Sequence, residues 1–145
     1  MITQTTLKGK RVILEPLEDI EYFLNLAERH NKNLCSKKEL NDYIKTNGGE
    51  FWLITLNGIK RGVVGYFKDH NVYVMEAVKD NSAPPTGISY SIEVGELVIE
   101  YIFNLTDRLR TCALVKDKAI QILCKKLGFR EISRDQDLII YERVK

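Results

Sequence analysis

Residues 84–103 read PPTGISYSIEVGELVIEYIF, in which two prolines and a glycine break the chain before a serine-rich turn runs into an amphipathic segment. A helix start carries backbone N–H groups with no acceptor inside the helix. Their partial positive charge makes it a natural place for an anion such as a phosphate. The same residues also suit an ordinary loop-to-helix junction in which Ser89 or Ser91 caps the helix. Other chemistry-bearing types are sparse. Cys35, Cys112 and Cys124 are odd in number and form no C-x-x-C pair, and His30 and His70 complete no metal-ligand spacing. Neither histidine accompanies a nucleophile motif, so a catalytic triad has no support, and both read as surface residues.

The elements that would position such groups follow from periodicity. KRVILEPL (10–17) is rich in aliphatic residues and ends as a first strand at a proline. Ile20, Phe23, Leu24 and Ala27 then keep one helix face, and Ser36 with Glu39 forms a capping box for a second helix. Leu40, Tyr43 and Ile44 are its expected buried side, and Gly48–Gly49 stops it. FWLITL and GVVGYF flank Asn57-Gly58, a two-residue hairpin signal, and KDHN (68–71) returns the chain into VYVMEAV (72–78), giving three antiparallel strands. A helix over 92–105 follows, then RTCALV (110–115), read as a strand buried on both faces. Ala119, Ile122, Leu123 and Leu127 mark the last helix, and DLIIYERV (137–144) the last strand. The order is β-α-α-β-β-β-α-β-α-β, an α+β fold or mixed α/β sandwich with one central sheet.

Composition sets the class. A chain of 145 residues with 44% apolar and 29% charged residues suits one soluble globular domain, here 1–145. A net charge of +2, from 22 basic and 20 acidic residues, lacks the basic excess of a dedicated nucleic-acid binder, and Lys125–Lys126 reads as a solvated helix face. No apolar run approaches the ~20 residues that cross a bilayer, and MITQTTLKGKRVILEPL has no signal-peptide core. Unpaired cysteines fit a reduced, cytoplasmic setting.

The element order resembles the GNAT N-acetyltransferase superfamily, and two stretches carry the likeness. DKAIQILCKKLGF (117–129) resembles the family pattern N-x-x-A/S-x-x-x-x-x-K-x-G-F, with Lys126, Gly128 and Phe129 in register and Asp117 where Asn is usual. TGISYSIEVGELVIEYIF resembles the segment R/Q-x-x-G-x-G/A and its helix, nearest the branch that acetylates protein N-termini and antibiotics. Thr86 takes the Arg/Gln position, Gly87 the next, Ser89 the central Gly, Tyr90 the aromatic, Ser91 the Ala and Glu93 the helix Glu, so the loop is a degenerate one. LKGKRVILEPLE resembles that branch's first strand, and the likeness spans about residues 7 to 143.

The resemblance implies a mostly antiparallel sheet with one parallel pair, near 72–78 and 110–115, flanked by helices. It implies acetyl-CoA as cosubstrate, held at Thr86, Gly87, Ile88, Ser89, Tyr90 and Ser91, with Asp117 nearby. Ser89 would be strained by ~1–2 kcal/mol if that position needs positive φ. It also implies a backbone N–H near Ala77 or Val78 that polarises the thioester. Glu76 is the candidate base and Cys124, standing where many relatives carry Tyr, the candidate acid. Alternation places Tyr73 and Met75 on one face and Val74, Glu76 and Val78 on the other, so Glu76 is equally an outward-facing strand carboxylate. Cys124 is equally a small apolar filler. The function expected is transfer of acetyl to an amine of a protein or small molecule. The alternative is a GNAT-fold binding or assembly module without catalysis, for example a subunit of a larger particle.

Overall fold

The structure is a computed structural model that describes residues 5–30, 37–84 and 86–145. Its elements run β1 (Leu7–Lys8), β2 (Ile13–Pro16), α1 (Ile20–His30), α2 (Lys37–Asn47), β3 (Glu50–Leu56), β4 (Ile59–Asp69), β5 (Val72–Lys79), α3 (Ile88–Ile102), β6 (Arg108–Leu114), α4 (Lys118–Lys126), β7 (Arg130–Arg134) and β8 (Leu138–Val144). These strands form one sheet in the order β1-β2-β3-β4-β5-β6-β8-β7. Every neighbouring pair is antiparallel except β5 and β6, which run parallel and are joined by α3. This is the α+β sheet with one parallel pair that the sequence implies. The expected Ser36 cap and the side chains of Leu40, Tyr43 and Ile44 lie outside what is described.

Turn chemistry builds the central meander. Asn57 and Gly58 both take positive φ, 54° and 76°, the conformation a tight hairpin requires. His70 does the same at 59° between β4 and β5. Pleating then sorts the side chains. Trp52, Ile54, Val64, Tyr66 and Met75 join α3 and α4 in one buried cluster. Phe51, Val63 and Val78 join Phe23, Leu26 and Ala27 of α1 in another, on the opposite face. Gly95 allows a close helix–helix approach rather than a helix–sheet one, since a Cβ there would stand 2.6 Å from Leu127 Cδ1.

Two strands and one burial pattern differ from the sequence expectation. β1 is two residues long, too short for a period to show. β7, sequence REISR, is exposed at every position and pairs only with β8 at the sheet edge, so it carries no alternating apolar signal. β6 is buried on one face and not on both: Leu109 and Ala113 enter the core, whereas Cys112 and Leu114 are exposed.

The parallel pair is short. β5 and β6 share the register pairs Tyr73↔Leu109 and Val74↔Arg110 and no others among the described residues. β5 stays laddered to β4 from Val72 to Lys79, and β6 to β8 from Arg108 to Leu114. Beyond Val74 no register pair joins the two halves of the sheet among the described residues, which leaves a gap in the ladder.

Candidate active site

Beside this gap the chain leaves β5 and enters α3. Asp80 pins the connecting loop, accepting hydrogen bonds from the Ser82 amide (2.9 Å), the Ser82 hydroxyl (2.6 Å) and the Tyr22 hydroxyl (2.7 Å). Those bonds, from Ser82 first and then Tyr22, hold its carboxyl below the usual range despite burial. Gly87 is the N-cap of α3 in extended conformation, and no side chain caps the helix. Neither Ser89 nor Ser91 is a cap. Both lie within the helix, where Ser89 escapes the left-handed strain that its place in the motif implied. The left-handed non-glycine residues among those described are Asn57 and His70.

The amides of α3 are not all open. Tyr90 donates its amide to the Gly87 carbonyl at 3.1 Å, and its side chain is buried with the hydroxyl on the Thr55 carbonyl at 3.3 Å. Ile92 is the fifth helical residue and bonds within the helix. Ile88 and Ser89 thus remain as first-turn donors, beside Gly87, where a Cβ would meet nothing within 4 Å.

Two arginines that the motif did not point to bring positive charge here. Arg11, from the turn between β1 and β2, reaches Ser89 Oγ with an Nη at 3.4 Å and lies 5.8 Å from the Tyr90 ring centroid. Arg61 of β4 donates to the Pro84 carbonyl, and its buried Nε has no hydrogen-bond partner among the described residues. Thr86, at the family's Arg/Gln position, has no such charge. Glu93 does not oppose an anion as a free carboxylate would. It accepts from the amides of Arg11 (2.9 Å) and Val12 (3.0 Å) and pairs with Arg11 Nε at 3.2 Å. Burial alone would raise the Glu93 carboxyl, but these bonds together outweigh it and hold the group low.

Backbone direction at the gap is fixed by two hydrogen bonds. Thr111 Oγ donates to the Met75 carbonyl at 3.1 Å, so Met75 faces β6, while the Asp80 amide bonds the Arg61 carbonyl at 2.9 Å, so Asp80 faces β4. Backbone groups alternate along a strand. Ala77 therefore turns its N–H into the gap, and Val78 turns its own toward β4, with its side chain in the α1 cluster.

Glu76 projects on the α1 face of β5, with Val78. It keeps part of its surface in solvent, yet protein atoms crowd its carboxyl, and burial pushes the pKa up to about 7. Among the described residues it has no hydrogen bond and no cation. By strand alternation from the last register pair, Val74↔Arg110, Glu76 and Cys112 lie on the same face of the sheet. Cys112 is exposed as a residue, and its thiol pKa is raised by burial first and by the Glu76 charge second.

Cys124 lies elsewhere. It is buried among α3 and α4 residues on the other face, where burial foremost, then the Cys112 and Asp117 charges, push its thiol up to about 11. Asp117 caps α4, accepting from the Ile120 amide at 3.2 Å, so its carboxylate is already engaged. The structure sets the Ala77 N–H toward β6, Glu76 on the α1 face of β5, and Ile88 and Ser89 at the start of α3. It does not bring in the Val78 amide, the Tyr90 side chain, the Asp117 carboxylate or an acidic Cys124 thiol.

A depression of about 490 Å³ lies between the N-terminal hairpin and α1, edged by Lys8, Glu15, Glu18, Asp19, Tyr22 and Lys60. It shares no residue with the gap, and its three carboxylates face two lysines. At the gap, by contrast, the Ala77 backbone donor stands one residue along β5 from the titratable carboxyl of Glu76. Among the described residues no group of three or more His, Cys, Asp or Glu side chains is placed to hold a metal ion, and no helix is long and apolar enough to cross a membrane.

No family model and no curated protein matches the sequence. Solved structures do match the fold. An acetyltransferase from Agrobacterium tumefaciens superposes with a TM-score of 0.75 at 14% identity, covering 100% of this chain and 97% of that one. A GNAT-family acetyltransferase from Bacillus anthracis gives 0.72 at 14%, covering 97% and 98%. RimL, a ribosomal α-N-protein acetyltransferase in complex with coenzyme A, gives 0.70 at 12%, covering 97% and 98%. The chain has the GNAT fold.

Proposed function

We propose that this chain, as a single domain in a reducing cytoplasm, is an acetyl-CoA-dependent N-acetyltransferase acting on an amine of a protein or small molecule. The observation that carries the reading is the gap between β5 and β6, with the Ala77 N–H turned into it and an uncapped helix start beside it. The residues fit the cosubstrate: Ile88 and Ser89 offer amides, Gly87 leaves room, and Arg11 and Arg61 supply the positive charge that Thr86 lacks. Acetyl-CoA supplies an activated acyl group as a thioester. Ala77 donates its N–H to the thioester carbonyl oxygen, where negative charge develops during attack. Glu76, with a pKa of about 7, is matched to take the proton of an attacking amine near neutral pH, and the departing coenzyme A thiolate would take that proton up from the Glu76 carboxyl. Cys124 has no part as acid, because a thiol held near 11 is a poorer proton donor than an ordinary thiol.

A second reading is favoured by Asp117, whose carboxylate is taken up in capping α4, and by the want of a tyrosine at position 124. On that reading the chain is a GNAT-fold assembly module without chemistry. Coenzyme A binding separates the two. At ~100 times its dissociation constant a ligand stabilises the fold by about 2.7 kcal/mol. For a chain of this length that is roughly 5–10 °C in Tm. An unmoved Tm at millimolar coenzyme A selects the assembly module.

A further inference from the structure

Strands β6 and β8 are covered on one face only. Their residues Leu109, Ala113, Ile139 and Tyr141 enter the cluster under α3 and α4, so the residues between them point to the other face. On that other face α1 packs over β4 and β5, and α2 over β4. The part of the face built by β6, β8 and β7 is left bare among the described residues. Register sets Cys112 beside Ile140 and Leu114 beside Leu138 there, and Leu114 is 42% exposed. Two residues along, Arg110, Glu142 and Arg130 form a row across the three strands. Arg110 pairs with the Glu142 carboxylate at 3.0 Å, and Arg108 approaches it at 3.9 Å. Three arginines thus stand against one glutamate, and the row keeps an excess of positive charge beside an aliphatic strip.

We propose that this bare strip docks an extended peptide segment whose aliphatic side chains lie on Leu114, Leu138 and Ile140 and whose carboxylates meet the arginine row. Size selects the occupant. At ~4.8 Å between strands and ~3.4 Å per residue, three strands offer on the order of 300 Å², well short of the ~800 Å² per partner that a stable dimer buries. A second copy of the chain is therefore a poor fit. About six residues of extended chain, at ~3.4 Å each, match a strip ~20 Å long. Charge complementarity then asks for acidic groups at the arginine end. Glu76 lies on the same face of the sheet by strand alternation, so a docked segment approaches the proposed base from this side. That the segment carries the acceptor amine rests on the transferase reading, whereas the docking itself does not.

The isotopically labelled full chain is titrated with a free-amine peptide of alternating leucine and isoleucine that ends in two aspartates, and with its twin ending in two lysines. Amide shifts are expected at 110–114, 130–133 and 138–142, with the aspartate peptide bound about tenfold more tightly. Leu114→Ser and Arg130→Glu, both at exposed positions, should each weaken the aspartate peptide about fivefold. Arg130→Glu should at the same time strengthen the lysine peptide, which loss of folding would not do. With acetyl-CoA added, transfer to the aspartate peptide in preference to the lysine one supports its place as acceptor. Docking on the strip without transfer upholds the surface and removes the transferase reading. Shifts elsewhere, no shifts, or equal affinity for the two peptides overturn the surface, and acetyl transfer in that case leaves the transferase standing. A dimer in sedimentation velocity that protects the same strip also overturns it, by giving the strip to a second copy.

Discussion

Glu93 and Arg11, 82 residues apart, are joined by two hydrogen bonds: the Arg11 amide and the Arg11 Nε each donate to one oxygen of the Glu93 carboxylate. The Val12 amide adds a third. A carboxylate in the first turns of α3 thereby secures the N-terminal hairpin, and the pairing keeps the neighbourhood of the helix start from being acidic.

Glu93→Ala should cost about 2–4 kcal/mol at pH 7, since it leaves two backbone donors without their charged acceptor. The Glu93 pKa is lowered in the fold, so its contribution is complete above the unfolded value of about 4.3 and disappears as pH falls through the lower folded value. Urea melts at pH 7 and pH 3 should show a large difference between wild type and variant at the first and a small one at the second.

Glu76 titrates with the opposite sign. Its folded pKa of about 7 lies above the unfolded value, so its favourable share of stability is full below about pH 4 and is lost as pH rises through 7. Glu76→Gln should therefore gain on the order of 2–3 kcal/mol over wild type at pH 8 relative to pH 4. In an active protein the same change lowers the rate by roughly 10²-fold and removes a rise in rate centred near pH 7. A pH–rate profile with no such inflection in wild type would return Glu76 to being a strand carboxylate.

Tyr22 tests the loop that leads from β5 to α3. Tyr22→Phe removes its bond to Asp80, at 2.7 Å, and should cost about 1–2 kcal/mol. Coenzyme A affinity should fall with it, and amide exchange at 80–84 should quicken. Affinity that holds while stability drops would show that the loop's anchor is unrelated to the site.

At the helix start, Ser89→Gly should bring no gain in coenzyme A binding, because Ser89 has no left-handed strain to relieve. Glycine inside a helix costs up to ~1 kcal/mol instead. Gly87→Val should fold, having open space around it, and bind coenzyme A more weakly by crowding the phosphate. Arg11→Ala should weaken binding about tenfold, or ~1.4 kcal/mol, in calorimetric titration.

Long-period signals carried the sequence reading. The meander and the helices follow from Asn57-Gly58 and from the apolar stripes, which are local, whereas the parallel pair was implied by the resemblance to the GNAT pattern. What stayed hidden depends on contact between distant residues or on the absence of a period. β7 is exposed throughout, with Ile132 its one apolar residue. Arg11 and Arg61 belong to strands and turns far from the motif they adjoin, and nothing near Thr86 points to them. Asp80 with Ser82 has the spacing of a self-bonded turn and was within reach. The register of the parallel pair, Tyr73↔Leu109 and Val74↔Arg110, joins distant strands and is not written in either strand alone.

The brevity of the parallel pair has a mechanical consequence. Strands β1 to β5 form one continuous block, and β6, β8 and β7 another. At the level of the sheet, two register pairs and the Thr111 hydrogen bond form the seam between them. A seam with so few bonds is the weakest line of the sheet, so opening along it should cost less than unfolding either block. Amides at its edge should then exchange with solvent through local opening rather than through complete unfolding. A ligand that touched both blocks would quiet the motion, and part of its binding free energy would go into that stiffening.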